Sequence, residues 1–182
     1  PQGQPQLDLA SARRFIEQEC NPLYASLFDF HFGCGEPEAV IDTLAAYQNP
    51  DGGFGLGLEP DFLMPDSSPM ATSIAFQILE EIGVQSGSAE ATPRATSGAA
   101  GTAVTTTVGS AVDYLETHFD PTRGGWYAVS RAVNNSPHAP WWHWDEATGQ
   151  TLIDQHWGNP SAEIIAQLWR VLSARATGVG GL

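Results

Sequence analysis

Gln48-Asn49-Pro50-Asp51-Gly52-Gly53-Phe54, with the later run Ser68-Pro69-Met70-Ala71-Thr72-Ser73-Ile74-Ala75, decides how this chain is read. A second copy follows as Asp120-Pro121-Thr122-Arg123-Gly124-Gly125-Trp126, then Asn159-Pro160-Ser161-Ala162-Glu163-Ile164-Ile165-Ala166. Each copy reads as a helix, a Gly-Gly-aromatic turn, a polar loop and a helix opened by proline. Repetition on this scale predicts an array of helical hairpins. The paired glycines at 52 and 124 stand 72 positions apart, and the prolines at 69 and 160 stand 91 apart. The second copy therefore carries 19 extra residues between turn and helix. They include His138-Ala139-Pro140-Trp141-Trp142-His143-Trp144-Asp145-Glu146, and insertions in such arrays tend to fall on the binding face.

The rest of the chain agrees with a helical reading. Leu9, Ala12, Ile16 and Cys20 share one helical face, with Asp8 placed to cap. Asn21-Pro22 restarts the chain, with Leu23, Tyr24, Leu27 and Phe28 as the next stripe. Glu36-Pro37 opens a third helix through Val40, Ile41 and Leu44, and Ser68-Pro69 a fourth ending near Gly83. A fifth carries Val108, Ala111, Val112, Leu115 and Phe119, and a sixth Ile164, Ile165, Leu168 and Leu172. Alternating strand patterns are weak throughout. Residues 85–107 are mostly Ser, Ala, Thr and Gly, with Glu90 and Arg94 as their only charges and Val104 as the one large aliphatic. They read as a disordered insertion that supplies no core. The organisation expected is one domain over 1–182, with repeats at 36–83 and 108–176.

Composition limits the partners. Of 182 residues, 21 are acidic and 7 basic, for a net charge of −14, and every base is arginine. Such a surface repels phosphate backbones and anionic bilayers, so neither nucleic acid nor a membrane is expected as a partner. No apolar run approaches the roughly 18 residues of a membrane span. Two cysteines, Cys20 and Cys34, suit a reducing compartment, and a cytoplasmic location is expected. Residues 1–6 lack the basic and apolar regions of a secretory signal.

Gln48-x-x-Asp51-Gly52-Gly53-Phe54 resembles the repeat of squalene and oxidosqualene cyclases and of protein prenyltransferase β subunits. With Gly55 to Asp61 and the Pro140-Trp141-Trp142 stretch, the chain looks most like members of that superfamily without an assigned reaction. The second copy departs from the pattern, with Asp120 in place of Gln48 and Arg123 in place of Asp51. The resemblance implies an all-α fold, an α/α toroid whose paired helices ring a central cavity. A closed ring of six pairs needs roughly 270 residues at about 45 per pair. Six helices fall short of it, so a partial ring, or a fragment whose remainder is missing, is expected.

The chemistry that the resemblance implies is incomplete. None of the ten aspartates falls in an Asp-x-Asp-Asp or Asp-Asp-x-x-Asp pattern, and no Asp-x-Cys zinc pair exists. No metal or cofactor is expected. Glu59, Asp61 and Asp66 follow the first turn and read either as a solvated loop or as an acid-base pair at a cavity mouth. Asp145 and Glu146 follow Trp144, whose ring could desolvate one carboxyl and raise its pKa. Trp141, Trp142 and Trp144, with His143, read either as loop anchors or as a wall that stacks on substrate. Catalytic candidates are therefore Glu59, Asp61, Asp145 and Glu146, and substrate-binding candidates Trp141, Trp142, His143 and Trp144. The expected function is a cavity for an apolar, isoprenoid-like or ring-bearing small molecule. The alternatives are a carbohydrate-active toroid with paired carboxylates and a protein-binding repeat module.

Overall fold

The computed structural model describes residues 8–84 and 99–178. Over these it is all-α, with α1 (Leu9–Glu19), α2 (Pro22–Phe32), α3 (Pro37–Ala45), α4 (Pro69–Glu81), α5 (Ala99–Thr117) and α6 (Gly158–Gly178). Short 3-10 turns cover Arg131–Asn135, Pro140–Trp142 and Ile153–Gln155. Among the described residues no strand forms, and extended pairing is limited to isolated bridges. No described helix is long and apolar enough to cross a membrane. Cys20 and Cys34 are both free.

The chain divides into two compact units, Pro1–Leu44 and Ala45–Leu182. The first opens with α1. Its capping is sound, since Asp8 Oδ1 accepts from the Ser11 amide at 3.0 Å. Yet its apolar stripe is thin, and α1 buries none of its residues. An exposed ion pair, Arg13 to Asp29 at 3.0 Å, joins it to α2. Exposed pairs of this kind contribute about 0–1 kcal/mol. Within the first unit Leu23, Val40, Ile41 and Leu44 are buried, while Phe15 and Phe32 are exposed.

The second unit is organised around α4. Ser68 caps it through a 3.0 Å bond from the Ala71 amide, and Pro69 sits where a missing N–H costs nothing. Ala71, Ala75, Phe76, Ile78 and Leu79 are buried along it. It packs against both α5 and α6. On α6 the buried Gln167 donates to Ser73 O at 3.0 Å and accepts from Ser73 Oγ at 3.2 Å, so this helix pair is keyed by polar groups as well as by apolar ones.

One expectation is overturned here. Residues 99–107, read from composition as part of a disordered insertion, form the first half of α5. Val104 is only 7% exposed and extends the buried stripe of Val108, Ala111, Val112 and Leu115 by one turn. A single aliphatic at the right helical phase outweighed the bland composition around it. Residues 85–98, the remainder of that insertion, lie outside the described residues.

The two Gly-Gly turns are built alike. In the first, Asn49 N donates to Gly53 O at 2.8 Å, and the Phe54 amide donates to Thr72 Oγ1 of α4 at 3.0 Å. In the second, Asp120 N donates to Gly125 O at 2.8 Å, and the Trp126 amide donates to Ser161 Oγ of α6 at 3.0 Å. Both aromatic side chains are buried. Gln48 secures the first turn by donating to Gly52 O at 2.9 Å and to Thr107 O of α5 at 3.0 Å. The two glycines divide their roles. The leading one takes the left-handed conformation, with φ of +89° at Gly52 and +66° at Gly124. The following one, Gly53, has its neighbours too close for a side chain: a Cβ there would lie 2.7 Å from the Tyr114 ring.

The contrast between the leading glycines is testable. A Cβ on Gly52 would meet Ser110 O at 2.3 Å, whereas one on Gly124 would meet nothing within 4 Å. Gly124→Ala should cost about 1 kcal/mol, the penalty of a left-handed conformation alone. Gly52→Ala should cost about 3 kcal/mol, because α5 must also shift. Urea denaturation midpoints of the two variants will separate these costs. Equal losses would mean that α5 does not press on the turn.

Candidate functional site

A pocket of about 810 Å³ opens in the second unit, between the first Gly-Gly turn, the start of α4, the end of α5 and the loop after the second turn. This is within the range of small-molecule sites, roughly 300–1,000 Å³. One side comes from Asn49, Pro50 and Asp51 of the turn with Asp66, Ser67 and Pro69 of the approach to α4. The loop after the second turn contributes Tyr127, Val129, Ser130, Arg131 and Trp144, and Tyr114 of α5 and His118 just past its end complete the lining.

Local bonding fixes each part. Ser67 Oγ donates to Asp51 Oδ1 at 2.7 Å and accepts from Asn49 Nδ2 at 3.0 Å. Asp51 Oδ1 also accepts from the Gly53 amide at 3.0 Å, so one carboxylate oxygen braces the turn. Among the described residues its other oxygen, and the whole Asp66 carboxylate, take no hydrogen bond. Trp144 is held at its backbone by Asn134, which accepts from the Trp144 amide at 2.8 Å and donates to its carbonyl at 2.9 Å. Its ring meets Tyr127 at 5.6 Å between centroids. Tyr127 in turn carries the Arg123 guanidinium 4.7 Å from its ring centroid.

Tyr114 is the unusual member. The residue is 3% exposed and its ring stacks on His118 at 4.1 Å. Its hydroxyl bonds to no described residue. Trp142 Nε1 is the one buried side-chain polar atom left without a partner among the described residues. The Tyr114 hydroxyl is therefore not sealed off, and it opens on the pocket that Tyr114 lines. Burial first, and then the negative charges of Asp51 and Asp66, push its pKa well above the usual tyrosine value. It stays a neutral donor at any physiological pH. His118 Nδ1 lies 2.8 Å from Tyr114 O, and a carbonyl only accepts, so Nδ1 is the donor.

The residues singled out in the sequence are dispersed. Trp144 lines the pocket. Trp142 is 4% exposed and packs edge-on against Phe62 at 5.0 Å, as an anchor. Trp141 is 41% exposed and lies outside the pocket wall. His143 Nδ1 sits 3.3 Å from His138 Nε2 at the surface, also away from it. Of the catalytic candidates, Glu59, Asp61, Asp145 and Glu146 all lie off the pocket, and their neighbour Asp66 alone borders it. Glu59 Oε1 accepts from the Asp61 amide at 3.2 Å, and burial raises the Glu59 pKa. Asp145 behaves opposite to expectation. It is fully exposed, and hydrogen bonds from the Ala147 amide and the Thr148 hydroxyl hold its carboxyl below the ordinary range. It caps the turn to Gln150, which the residues after Trp144 allowed but which proximity to a Trp ring concealed.

Sequence reading missed Asp51 and Tyr114 as pocket residues. The signal for Tyr114 was faint: a Tyr-His pair one helical turn apart on a helix otherwise read only for its apolar stripe. It also missed Asp154, a buried carboxylate in the aromatic loop. Asp154 accepts from the Ala128 amide at 2.7 Å, the Thr151 amide at 3.0 Å and Thr151 Oγ1 at 2.6 Å. Arg123 Nη2 lies 3.9 Å from Asp154 Oδ1 and donates to Asp154 O at 2.6 Å. With both oxygens occupied by this frame, Asp154 is structural. Among the described residues, no group of three or more His, Cys, Asp or Glu side chains could hold a metal ion.

No protein-family model matches this chain, and neither a curated protein nor a solved structure matches it. The resemblance to the squalene-cyclase and prenyltransferase repeats rests on the quoted motifs alone.

Asp154 and Tyr114 should separate in stability measurements. Asp154→Ala takes the acceptor from two backbone amides and the charge partner from Arg123, and should cost about 3–5 kcal/mol. Tyr114→Phe removes a hydroxyl that bonds to no described residue and should change stability by less than about 0.5 kcal/mol. Thermal and urea unfolding will report both. A large loss in Tyr114→Phe would mean that the hydroxyl serves the fold rather than the pocket.

Proposed function

We propose that the second unit belongs to an α/α hairpin array and uses its pocket to bind a small ring-bearing molecule with polar substituents. The observation that carries this reading is the Tyr114 hydroxyl. It is a donor on a nearly buried side chain, left without a protein partner, in a pocket walled by Tyr127 and Trp144. Because the hydroxyl opens on the pocket, a ligand that accepts from it gains a hydrogen bond worth about 0.5–1.5 kcal/mol net. The neighbouring rings offer flat apolar faces, and Asp51 offers a free carboxylate oxygen. The likeness of the two turns, each docking an aromatic amide on a helix hydroxyl, supports the array.

An isoprenoid chain fits this lining less well than a substituted ring does. Asp51, Asp66, His118 and Arg131 all border the pocket, and a hydrocarbon would strip water from them without replacing it. A carbohydrate ligand is the second reading. Two carboxylates, Asp51 and Asp66, flank one aromatic cavity, as paired carboxylates do where sugars are bound or cleaved.

Titration calorimetry against a panel of saccharides, aromatic amino acids and a prenyl alcohol tests the reading. A ring-bearing polar compound should bind. Trp144→Ala should weaken that compound about tenfold, through loss of a stacking face. Tyr114→Phe should weaken it about five- to tenfold, the worth of one net hydrogen bond. Binding of the prenyl alcohol alone, or binding insensitive to both variants, would overturn the proposal.

A further inference from the structure

The pocket holds charges of both signs that do not neutralise one another. Asp51 and Asp66 line it together with Arg131. Among the described residues Arg131 forms no ion pair and no side-chain hydrogen bond, and Asp66 forms none either. Arg131 begins the 3-10 turn Arg131–Asn135, capped by Ser130, which fixes where its side chain starts. The two carboxylates come from the first turn and the approach to α4. The neutral Tyr114 side chain lines the same pocket, and its hydroxyl has no acceptor among the described residues.

Resting on the reading of this pocket as a ligand site, we propose that its ligand is a zwitterion: a small ring-bearing molecule with a carboxylate and a cationic amine, of the aromatic amino-acid class. Each simpler charge type leaves something unmet. A plain cation suits Asp51, Asp66 and the faces of Tyr127 and Trp144, but faces the unpaired Arg131. A plain anion suits Arg131 and the Tyr114 hydroxyl, but meets two carboxylates. A neutral sugar supplies hydrogen bonds but pairs none of the three charges, which are exposed. A zwitterion meets all of them. Its carboxylate accepts from the Arg131 fork and the Tyr114 hydroxyl, its ammonium donates to Asp66 and the free oxygen of Asp51, and its ring lies on the aromatic wall. Two carboxylates against one guanidinium leave the lining net negative, and the chain's charge of −14 favours a ligand that is not itself anionic.

Three related probes and a sugar test this. Titrate the full chain with L-phenylalanine, with phenethylamine (its amine without the carboxylate), with 3-phenylpropionate (its acid without the amine) and with cellobiose. Phenylalanine should bind about tenfold more tightly than either single-charge analogue. Asp66→Asn should weaken phenylalanine and phenethylamine about tenfold and leave 3-phenylpropionate unchanged or tighter. Arg131→Gln should weaken phenylalanine and 3-phenylpropionate and leave phenethylamine unchanged or tighter. Neither side chain has a partner in the fold, so both variants should melt with the parent, which circular dichroism checks. Equal binding of phenylalanine and phenethylamine, or indifference of phenylalanine to Arg131→Gln, would overturn the zwitterion. Binding of cellobiose alone would overturn it while leaving the pocket reading standing. Failure of all four probes would remove both.

Discussion

The Phe54 amide reaches Thr72 Oγ1 at 3.0 Å, and the rest of the second unit depends on that bond and its counterpart. A backbone N–H buried in a turn must find an acceptor. Here no strand supplies one, so the first turn of the next helix does. Thr72 Oγ1 itself donates to Ser68 O at 2.8 Å, so the hydroxyl passes the constraint on to the cap of α4. Trp126 and Ser161 repeat the arrangement on α6. Two helices far apart in sequence are each pinned to a turn by the helix-side hydroxyl. Gln167 and Ser73 then lock the helices to one another.

The pocket is a consequence of this docking. The chain that must cross from Phe54 to Thr72 carries Asp66 and Ser67 along the outer side of the turn. Because Gly52 and Gly53 have no side chains, α5 comes close enough to place the Tyr114 ring against Gly53. The same close approach that costs conformational freedom thus buries Tyr114 beside the pocket that it lines. Asp51 Oδ1 braces Gly53 and Ser67, while Oδ2 takes no hydrogen bond among the described residues.

Much of the scaffold was legible, because its signals are local. Asp8 and Ser68 were readable as caps, and each accepts an amide hydrogen bond in its own first turn. The paired glycines marked both turns. What escaped was decided across the fold. The start of α5 depended on the phase of Val104 relative to Val108 and Leu115, which composition does not register. The acidic loop after the first turn was noticed, but which of Glu59, Asp61 and Asp66 borders the pocket depends on Ser67 being tied to Asp51 and Asn49. Within the Trp cluster, burial of Trp142 depends on Phe62, about eighty residues earlier and invisible to any local pattern. Asp145 was misjudged for the converse reason: its own turn, not the neighbouring Trp, sets its environment.

The two turns differ in how one equivalent position is used. At the position of Asp51 the second turn has Arg123. An exposed aspartate can leave one oxygen toward solvent, but a long guanidinium next to a buried carboxylate is drawn inward. Arg123 donates to Trp126 O at 3.1 Å and to Asp154 O at 2.6 Å, and its charge lies against the Asp154 carboxylate. Desolvating either charge alone would be costly, so Arg123 and Asp154 hold each other in place. The long loop between Trp126 and α6 is what brings Asp154 there, and it also delivers Arg131 and Trp144 to the pocket. Arg123 further covers one face of Tyr127, so the loop that enters the pocket is clamped to the second turn at its root. The second turn is consumed in fixing that loop. The first turn, freed of such a task, presents its carboxylate to the space that the loop closes.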